Sequence, residues 1–245
     1  MKILVISLPE SAERRQSATG KLTTLGLSFE FIDGINGSTS RDPLLKRYRE
    51  REFILNYGRP ALPGELGCYA SHYLAWQRCI ELGEPVLVLE DDFKPLENFM
   101  DALALCEQHI NAQGYIRLET TGDKPASTVF TQDGFTLVKF LKAPQGALCY
   151  AISPSVARIF VARSQTFDYP VDVFVRNFWY HKVPLFGLKP YSATASKIAV
   201  KSYIGSRRGH YPKSLGTRLH RSARKLKALL KTGIENLRYK LGLRK

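Results

Sequence analysis

Three consecutive carboxylates, Glu90, Asp91 and Asp92, stand at the end of the apolar run Pro85 to Leu89 and carry the clearest chemical signal in the chain. Side chains alternate along an extended segment, so Glu90 and Asp92 face one way and Asp91 the other. Two carboxylates in one crevice repel each other unless a cation neutralises them. Hard oxygen ligands suit magnesium or manganese, and such a cation bridges phosphate oxygens. A plainer reading is that the acids complement the positive end of the helix that follows.

Other polar groups add weaker hints. Ser71 and His72 adjoin on an otherwise apolar helical stretch, where a histidine also serves as a satisfied core residue. Arg14 and Arg15 follow the first strand and suit bidentate phosphate binding, although such a pair alone is more often a solvated helix face. Cys68, Cys79, Cys106 and Cys149 form no CxxC pair and no zinc-like cluster with histidine, which predicts free thiols. Trp76 reads as core.

The elements that must position these groups alternate between strand and helix. Ile3 to Ser7 reads as a buried strand, Pro9 to Gly26 as a helix closed by glycine, and Ser28 to Asp33 as a second strand, an opening that favours a parallel sheet. Residues Gly37 to Pro63 form a long polar connection with a short helix, followed by a helix from Gly64 to Leu82 and a third strand apolar on both faces. Beyond the acids the pattern predicts a helix at Leu96 to Ile110 and a strand at Tyr115 to Glu119. Thr128 to Thr131 and Phe135 to Leu141 read as a hairpin turning at Gln132-Asp133-Gly134. A strand at Ala147 to Ile152, a helix opened by Ser153-Pro154, a short helix at Val171 to Tyr180 and a strand at Val183 to Leu188 complete the body.

With 245 residues, 44% hydrophobic and 24% charged, the chain has the make-up of a globular protein rather than a disordered or collagen-like one. Its net charge of +14 is concentrated: from Arg207 to Lys245 there are 13 basic residues and one acid, Glu235, leaving 206 residues that carry only +2. A body so close to neutral argues against a protein devoted to nucleic acid. The division is therefore a near-neutral body at 1–206, expected to hold any catalytic site, and a basic tail at 207–245. In the tail Leu219, Leu226, Leu230, Ile234, Leu237 and Leu241 recur on one helical face. The segment 218–243 reads as a helix adsorbing to an anionic membrane surface, against two competing readings: a stripe packed on the body, or nonspecific nucleic-acid binding. The absence of a leader-like start or a long apolar run leads to an expected cytoplasmic location, peripheral on the inner membrane.

These blocks together resemble glycosyltransferase family 25, the bacterial lipooligosaccharide galactosyltransferase group. The resemblance rests on Ile3 to Leu8 with Arg14-Arg15, Phe31-Ile32-Asp33-Gly34, Gly64-Glu65-Leu66-Gly67-Cys68 with Ser71-His72 and Trp76, Leu89-Glu90-Asp91-Asp92, and Pro170-Val171-Asp172. It implies an α/β fold of the GT-A nucleotide-sugar type with a mixed, mostly parallel sheet, an inverting mechanism, a UDP-hexose donor (galactose above all), a divalent metal and a lipooligosaccharide acceptor. It also implies donor contacts from Ser7, Leu8, Arg14, Asp33, Ser71, His72, Glu90 and Asp91, and metal contacts from Asp92 and Glu90. Because the triplet is Glu-Asp-Asp rather than Asp-x-Asp, Glu90 touches either the metal or the donor's ribose.

Inversion requires a base opposite the leaving group to take the acceptor hydroxyl's proton. Asp172, which matches a family position, comes first and Glu119 second, although either also suits a salt bridge or helix cap. His181 or His210 is the candidate third metal ligand. Two other classes compete, a nonenzymatic nucleic-acid binder using the tail and a metal-dependent phosphoesterase using the same acids.

Overall fold

The structure, a computed structural model, describes residues 1–120, 122–196 and 215–243. Strand β1 (Lys2–Ser7) leads through α1 (Ala12–Thr24) to β2 (Glu30–Asp33), which pairs with it in parallel. A 3-10 turn (Pro43–Arg47), α2 (Glu50–Tyr57) and the long α3 (Pro63–Leu82) follow. Strand β3 (Val86–Glu90) then joins the opposite side of β1, again parallel. Next come β4 (Phe93–Pro95), α4 (Phe99–Gln113), β5 (Tyr115–Arg117), β6 (Ala126–Gln132), β7 (Phe135–Phe140) and β8 (Cys149–Ile152). The chain continues through α5 (Pro154–Arg163), α6 (Val171–Arg176), α7 (Phe178–His181), β9 (Phe186–Lys189), β10 (Ala193–Ala195) and α8 (Leu215–Lys240).

The main sheet has the order β2-β1-β3-β8-β5-β9-β7-β6, and β4 with β10 forms a separate two-stranded ribbon. Strands β7 and β8 run against the other six, so the sheet is mixed and mostly parallel. Alternating side chains of β1 and β3 feed two cores. Leu4, Ile6, Val86 and Val88 pack with Tyr69, Tyr73 and Trp76 of α3, whereas Ile3, Val5, Leu87 and Leu89 pack with Leu22 of α1 and Phe99 and Leu105 of α4. Helices therefore cover both faces, as a continuously apolar central strand requires.

Local chemistry accounts for several boundaries. Asp133 and Gly134 both adopt left-handed backbone (φ 50 and φ 78), the conformation that a two-residue turn between twisted strands demands. The Ser153 side chain accepts from the Val156 amide and starts α5 ahead of Pro154. The expected helix from Val171 to Tyr180 is two helices broken at Asn177, and the strand expected from Val183 begins at Phe186.

Because β2 lies on one side of β1 and β3 on the other, a crevice opens beyond the carboxyl ends of β1 and β3, the place where open α/β sheets hold ligands. Its far wall is the loop after β2, which presses backbone to backbone on the start of α3. A Cβ on Gly67 would lie 2.2 Å from the Ile35 carbonyl oxygen, and one on Gly37 would lie 1.8 Å from that of Pro63. Glycine is the residue that permits this approach.

Candidate active site

Two clefts meet at the acidic triplet. One, of about 370 Å³, runs along the end of β1 and α1 and includes Ser7, Leu8, Arg14, Lys21, Ser71 and His72. The other, of about 300 Å³, is walled by Glu119, Gly146, Leu148, Pro170 and Asp172. Cys68, Glu90 and Asp92 line both. Two ligands, one in each cleft, would therefore meet over these three residues.

The three acids have different surroundings. Asp91 is buried and tied to the first strand: Ser7 Oγ donates to Oδ2 at 2.6 Å and the Arg14 guanidinium to Oδ1 at 3.1 Å. Asp92 Oδ1 is buried with no hydrogen-bond partner among the described residues. Burial, together with the charges of Glu90 and Asp91, raises the Asp92 carboxyl to about 6. Glu90 is half-buried, and its Oε1 lies 3.1 Å from His72 Nε2. A carboxylate lacking a partner beside a second carboxylate is what a cation would satisfy, and the all-oxygen pair Glu90 and Asp92 fits magnesium or manganese. Lys21, in the last turn of α1, reaches the same cleft. Its ammonium donates to the Phe93 carbonyl at 2.7 Å, and burial lowers its pKa against the pull of Asp92 and Asp91.

His72 is fully buried within a chain of hydrogen bonds. Trp76 Nε1 can only donate, and it does so to the Tyr150 hydroxyl at 2.9 Å; that hydroxyl in turn lies 2.9 Å from His72 Nδ1. The Tyr150 proton is thus directed at Nδ1, which leaves Nε2 protonated and donating to Glu90. Trp76 is core, as expected, yet it also orients the site. Cys68 Sγ, the His72 ring nitrogen and a Glu90 oxygen all lie within 4.8 Å of one another. The other three cysteines are buried, and all four are free thiols.

Ser71 lines the first cleft, but its hydroxyl accepts from the Ile35 amide at 2.8 Å and donates to the Gly67 carbonyl at 2.7 Å, pinning the loop to α3. Asp33 stands apart. Its carboxylate is exposed and paired with Arg15, and it does not line the cleft; the neighbouring residues Gly34 to Gly37 do so instead. Arg15 also donates to the Ser7 and Leu8 carbonyls, which makes it a strut for the strand end.

Of the two candidate bases, Glu119 is nearly enclosed. Its Oε1 takes a 2.5 Å bond from Arg117 and its Oε2 accepts from the Leu148 amide at 2.9 Å, while burial outweighs Arg117 and pushes the carboxyl up to about 7. Asp172, in the first turn of α6, is half-buried, with Oδ2 accepting from Gln145 Nε2 at 2.8 Å and Oδ1 from the Val173 amide at 2.7 Å. His181 does not serve as a third metal ligand. Both ring nitrogens are engaged, Nε2 with the Val175 carbonyl at 2.8 Å and Nδ1 with the Val183 amide at 3.1 Å, and the ring packs against Phe160 and Phe174. His210 lies outside the described residues.

The two clefts and the paired acids lie at the switch point of an α/β sheet, where such folds hold ligands. The chain matches glycosyltransferase family 25 (LPS biosynthesis protein) over residues 1–175 and belongs to that family. The mixed, mostly parallel sheet with helices on both faces agrees with the α/β architecture expected of it. A glycosyltransferase 25 family member of Aedes aegypti is 35% identical over 98 residues, 38% of this chain and 16% of that protein. A lipooligosaccharide biosynthesis protein of Haemophilus influenzae is 32% identical over 96 residues, 38% of this chain and 34% of that protein. A protein named a probable inactive glycosyltransferase 25 family member in Rattus norvegicus is 24% identical over 224 residues, 81% of this chain and 38% of that protein. The matched stretch thus spans between 16% and 38% of the length of these relatives. A solved glycosyltransferase involved in glycosylation of a viral major capsid aligns with 82% of this chain and 94% of its own at 10% identity and a TM-score of 0.42.

Proposed function

We propose that the chain is an inverting, metal-dependent glycosyltransferase. In this reading it moves a hexose, galactose in β linkage, from a UDP-sugar to a lipooligosaccharide acceptor at the cytoplasmic face of the inner membrane. The observation that carries this reading is the buried, partnerless Oδ1 of Asp92 beside Glu90, at the point shared by the two clefts. Membership of the family and the name of the Haemophilus influenzae relative support a sugar transferred to lipooligosaccharide.

Asp92 and Glu90 would hold magnesium or manganese, with His72 fixing one Glu90 oxygen. When bound, the cation offsets the charge that develops on the departing diphosphate. Arg14 and Lys21 add positive charge on the donor side, and the Asp91 bonds to Ser7 and Arg14 keep that wall rigid. Asp172 takes the acceptor hydroxyl's proton from the opposite side, because its carboxylate is accessible in the second cleft. Glu119, enclosed by Arg117 and the Leu148 amide, shapes the Gly146 to Leu148 wall.

The test is a panel of nucleotide sugars with manganese, following UDP release with and without a galactose-accepting oligosaccharide. UDP-galactose turnover that requires metal and disappears in Asp92→Ala, with the melting temperature kept, is the expected result. If UDP-galactose shifts no melting curve at saturating manganese, the reading is wrong.

A further inference from the structure

We infer that α8 is a fixed, surface-lying lipid anchor: its polar face is bolted to the catalytic body, and its leucine face is left outward to enter an anionic bilayer. This deepens the proposed glycolipid acceptor and takes its purpose from that reading, although lipid binding itself can be measured without any sugar transfer.

The two faces of the helix are used in an unusual sense. Amphipathic helices on globular proteins ordinarily turn the apolar stripe inward. Here Leu219, Leu226, Leu230, Ile234, Leu237 and Leu241 are between 51% and 63% exposed. The side facing the body consists of polar and aromatic groups about half a turn away. Arg224 donates to the Asn56 carbonyl at 2.8 Å, and its guanidinium lies 5.1 Å from the Tyr169 ring. Asn236 donates to the Leu141 carbonyl at 2.9 Å and accepts from Lys139, and Tyr239 meets Phe186 edge-on at 6.0 Å. Glu235 is buried on this side. The stripe therefore faces outward because the opposite face is already occupied, which rules out the packed-stripe reading of the tail for the described residues.

Charge decides the occupant. Exposed Lys225 and Lys240 lie on one flank of the stripe and exposed Lys227 on the other, beyond which Arg238 pairs with Glu235 at 3.1 Å. Glu235, the one acid in residues 215–243, faces the body. A second copy of the helix would set cation against cation with no countercharge to offer. A nucleic acid has no use for a continuous leucine face. An anionic lipid surface satisfies both features at once, with acyl chains for the stripe and headgroups for its shoulders. The position also fits: Tyr169, under Arg224, directly precedes the Pro170 to Asp172 wall of the acceptor-side cleft.

The test is flotation of the full chain with vesicles of about 30% phosphatidylglycerol in phosphatidylcholine, against phosphatidylcholine alone. Two variants are compared, Leu226→Gln with Leu230→Gln and Leu237→Gln, and Lys225→Gln with Lys227→Gln and Lys240→Gln. All six side chains are exposed, and a melting curve checks each fold. Expected are flotation with the anionic vesicles, a loss of about tenfold or more in the leucine variant, and weaker, salt-sensitive binding in the lysine variant. Metal-dependent UDP release without lipid is expected to stay unchanged in both. If the wild type stays unbound, if the leucine variant floats as well as the wild type, or if the stripe yields only a dimer in sedimentation or only duplex DNA binding, the inference is overturned. Flotation without any UDP release upholds the anchor and sinks the transferase reading instead.

Discussion

His72 is clamped between the Tyr150 hydroxyl, 2.9 Å from Nδ1, and Glu90, whose Oε1 is 3.1 Å from Nε2. The clamp orients a proposed metal ligand from within the core. Tyr150→Phe removes both the acceptor for Trp76 and the proton directed at Nδ1. The expected outcome is a weaker apparent manganese affinity, by about 10- to 100-fold, with kcat at saturating metal much less affected. The unpaired indole nitrogen is expected to cost a further ~1–3 kcal/mol of stability. Metal titration of UDP release and denaturant unfolding measure the two effects. An unchanged metal midpoint in a folded variant would show that Glu90 needs no such orientation.

The Asp92 carboxyl, raised to about 6 from an ordinary 3.8, gives a pH prediction of definite sign. A carboxyl raised in the fold favours its protonated form, so its contribution to stability is complete below about 3.8 and lost as pH rises through about 6. Glu119, raised to about 7 from 4.5, acts in the same direction over a higher window. Metal-free protein is therefore expected to lose melting temperature on going from about pH 5 to about pH 7.5, and Asp92→Asn to remove the lower part of that slope. Manganese is expected to raise the melting temperature at the higher pH and hardly at all at the lower, where protons hold the site. Equal stabilisation by manganese at both pH values would contradict the assignment.

Asp172 and Glu119 are separable by stability as well as by rate. Asp172→Asn keeps hydrogen-bonding capacity at a half-buried position, so kcat is expected to fall by about 10²- to 10⁴-fold with the melting temperature retained. Glu119→Gln leaves the buried Arg117 without its counter-charge, for an expected loss of about 3–5 kcal/mol. Should Glu119→Gln fold normally and lose kcat to the extent expected of Asp172→Asn, the base is Glu119. Stopped-time UDP release and thermal unfolding on both variants decide it.

What the sequence could reveal follows from the range of the interactions involved. The strand at Val86 to Leu89, the turn at Asp133-Gly134 and the Ser153 cap are local, so propensity and pattern sufficed. An apolar run of four residues says nothing about direction, so the antiparallel insertion of β8 between β3 and β5 was not visible. The ribbon of β4 and β10 was missed because three-residue strands carry no period, yet it brings Thr194 and Ala195 to the second cleft. His181 was misjudged because its partners are backbone groups and aromatic rings that no spacing announces. Lys21 was overlooked for a similar reason, since only the fold brings it beside Asp91 and Asp92. In the tail both faces of α8 are legible from residue spacing, but which one the body holds depends on contacts with distant residues such as Asn56 and Leu141.

Gly67 tests how the cleft itself is built. Its missing Cβ leaves room for the Ile35 carbonyl oxygen, 2.2 Å from where that carbon would stand, and for the Gly37 amide nitrogen at 2.6 Å. Every atom in the way is backbone, so no side-chain rotation relieves the clash. Gly67→Ala must therefore push the loop at Gly34 to Gly37 off α3, straining the Ile35 to Ser71 bond that pins it. That loop is a wall of the donor-side cleft and no part of the acceptor side. The expected outcome is a donor KM raised by about tenfold, a smaller change in acceptor KM, and a stability loss of about 1–3 kcal/mol from the forced overpacking. Steady-state kinetics with each substrate varied in turn, together with a denaturant melt, measure these effects. A Gly67→Ala enzyme with both KM values intact would mean that the loop yields without consequence and does not shape donor binding.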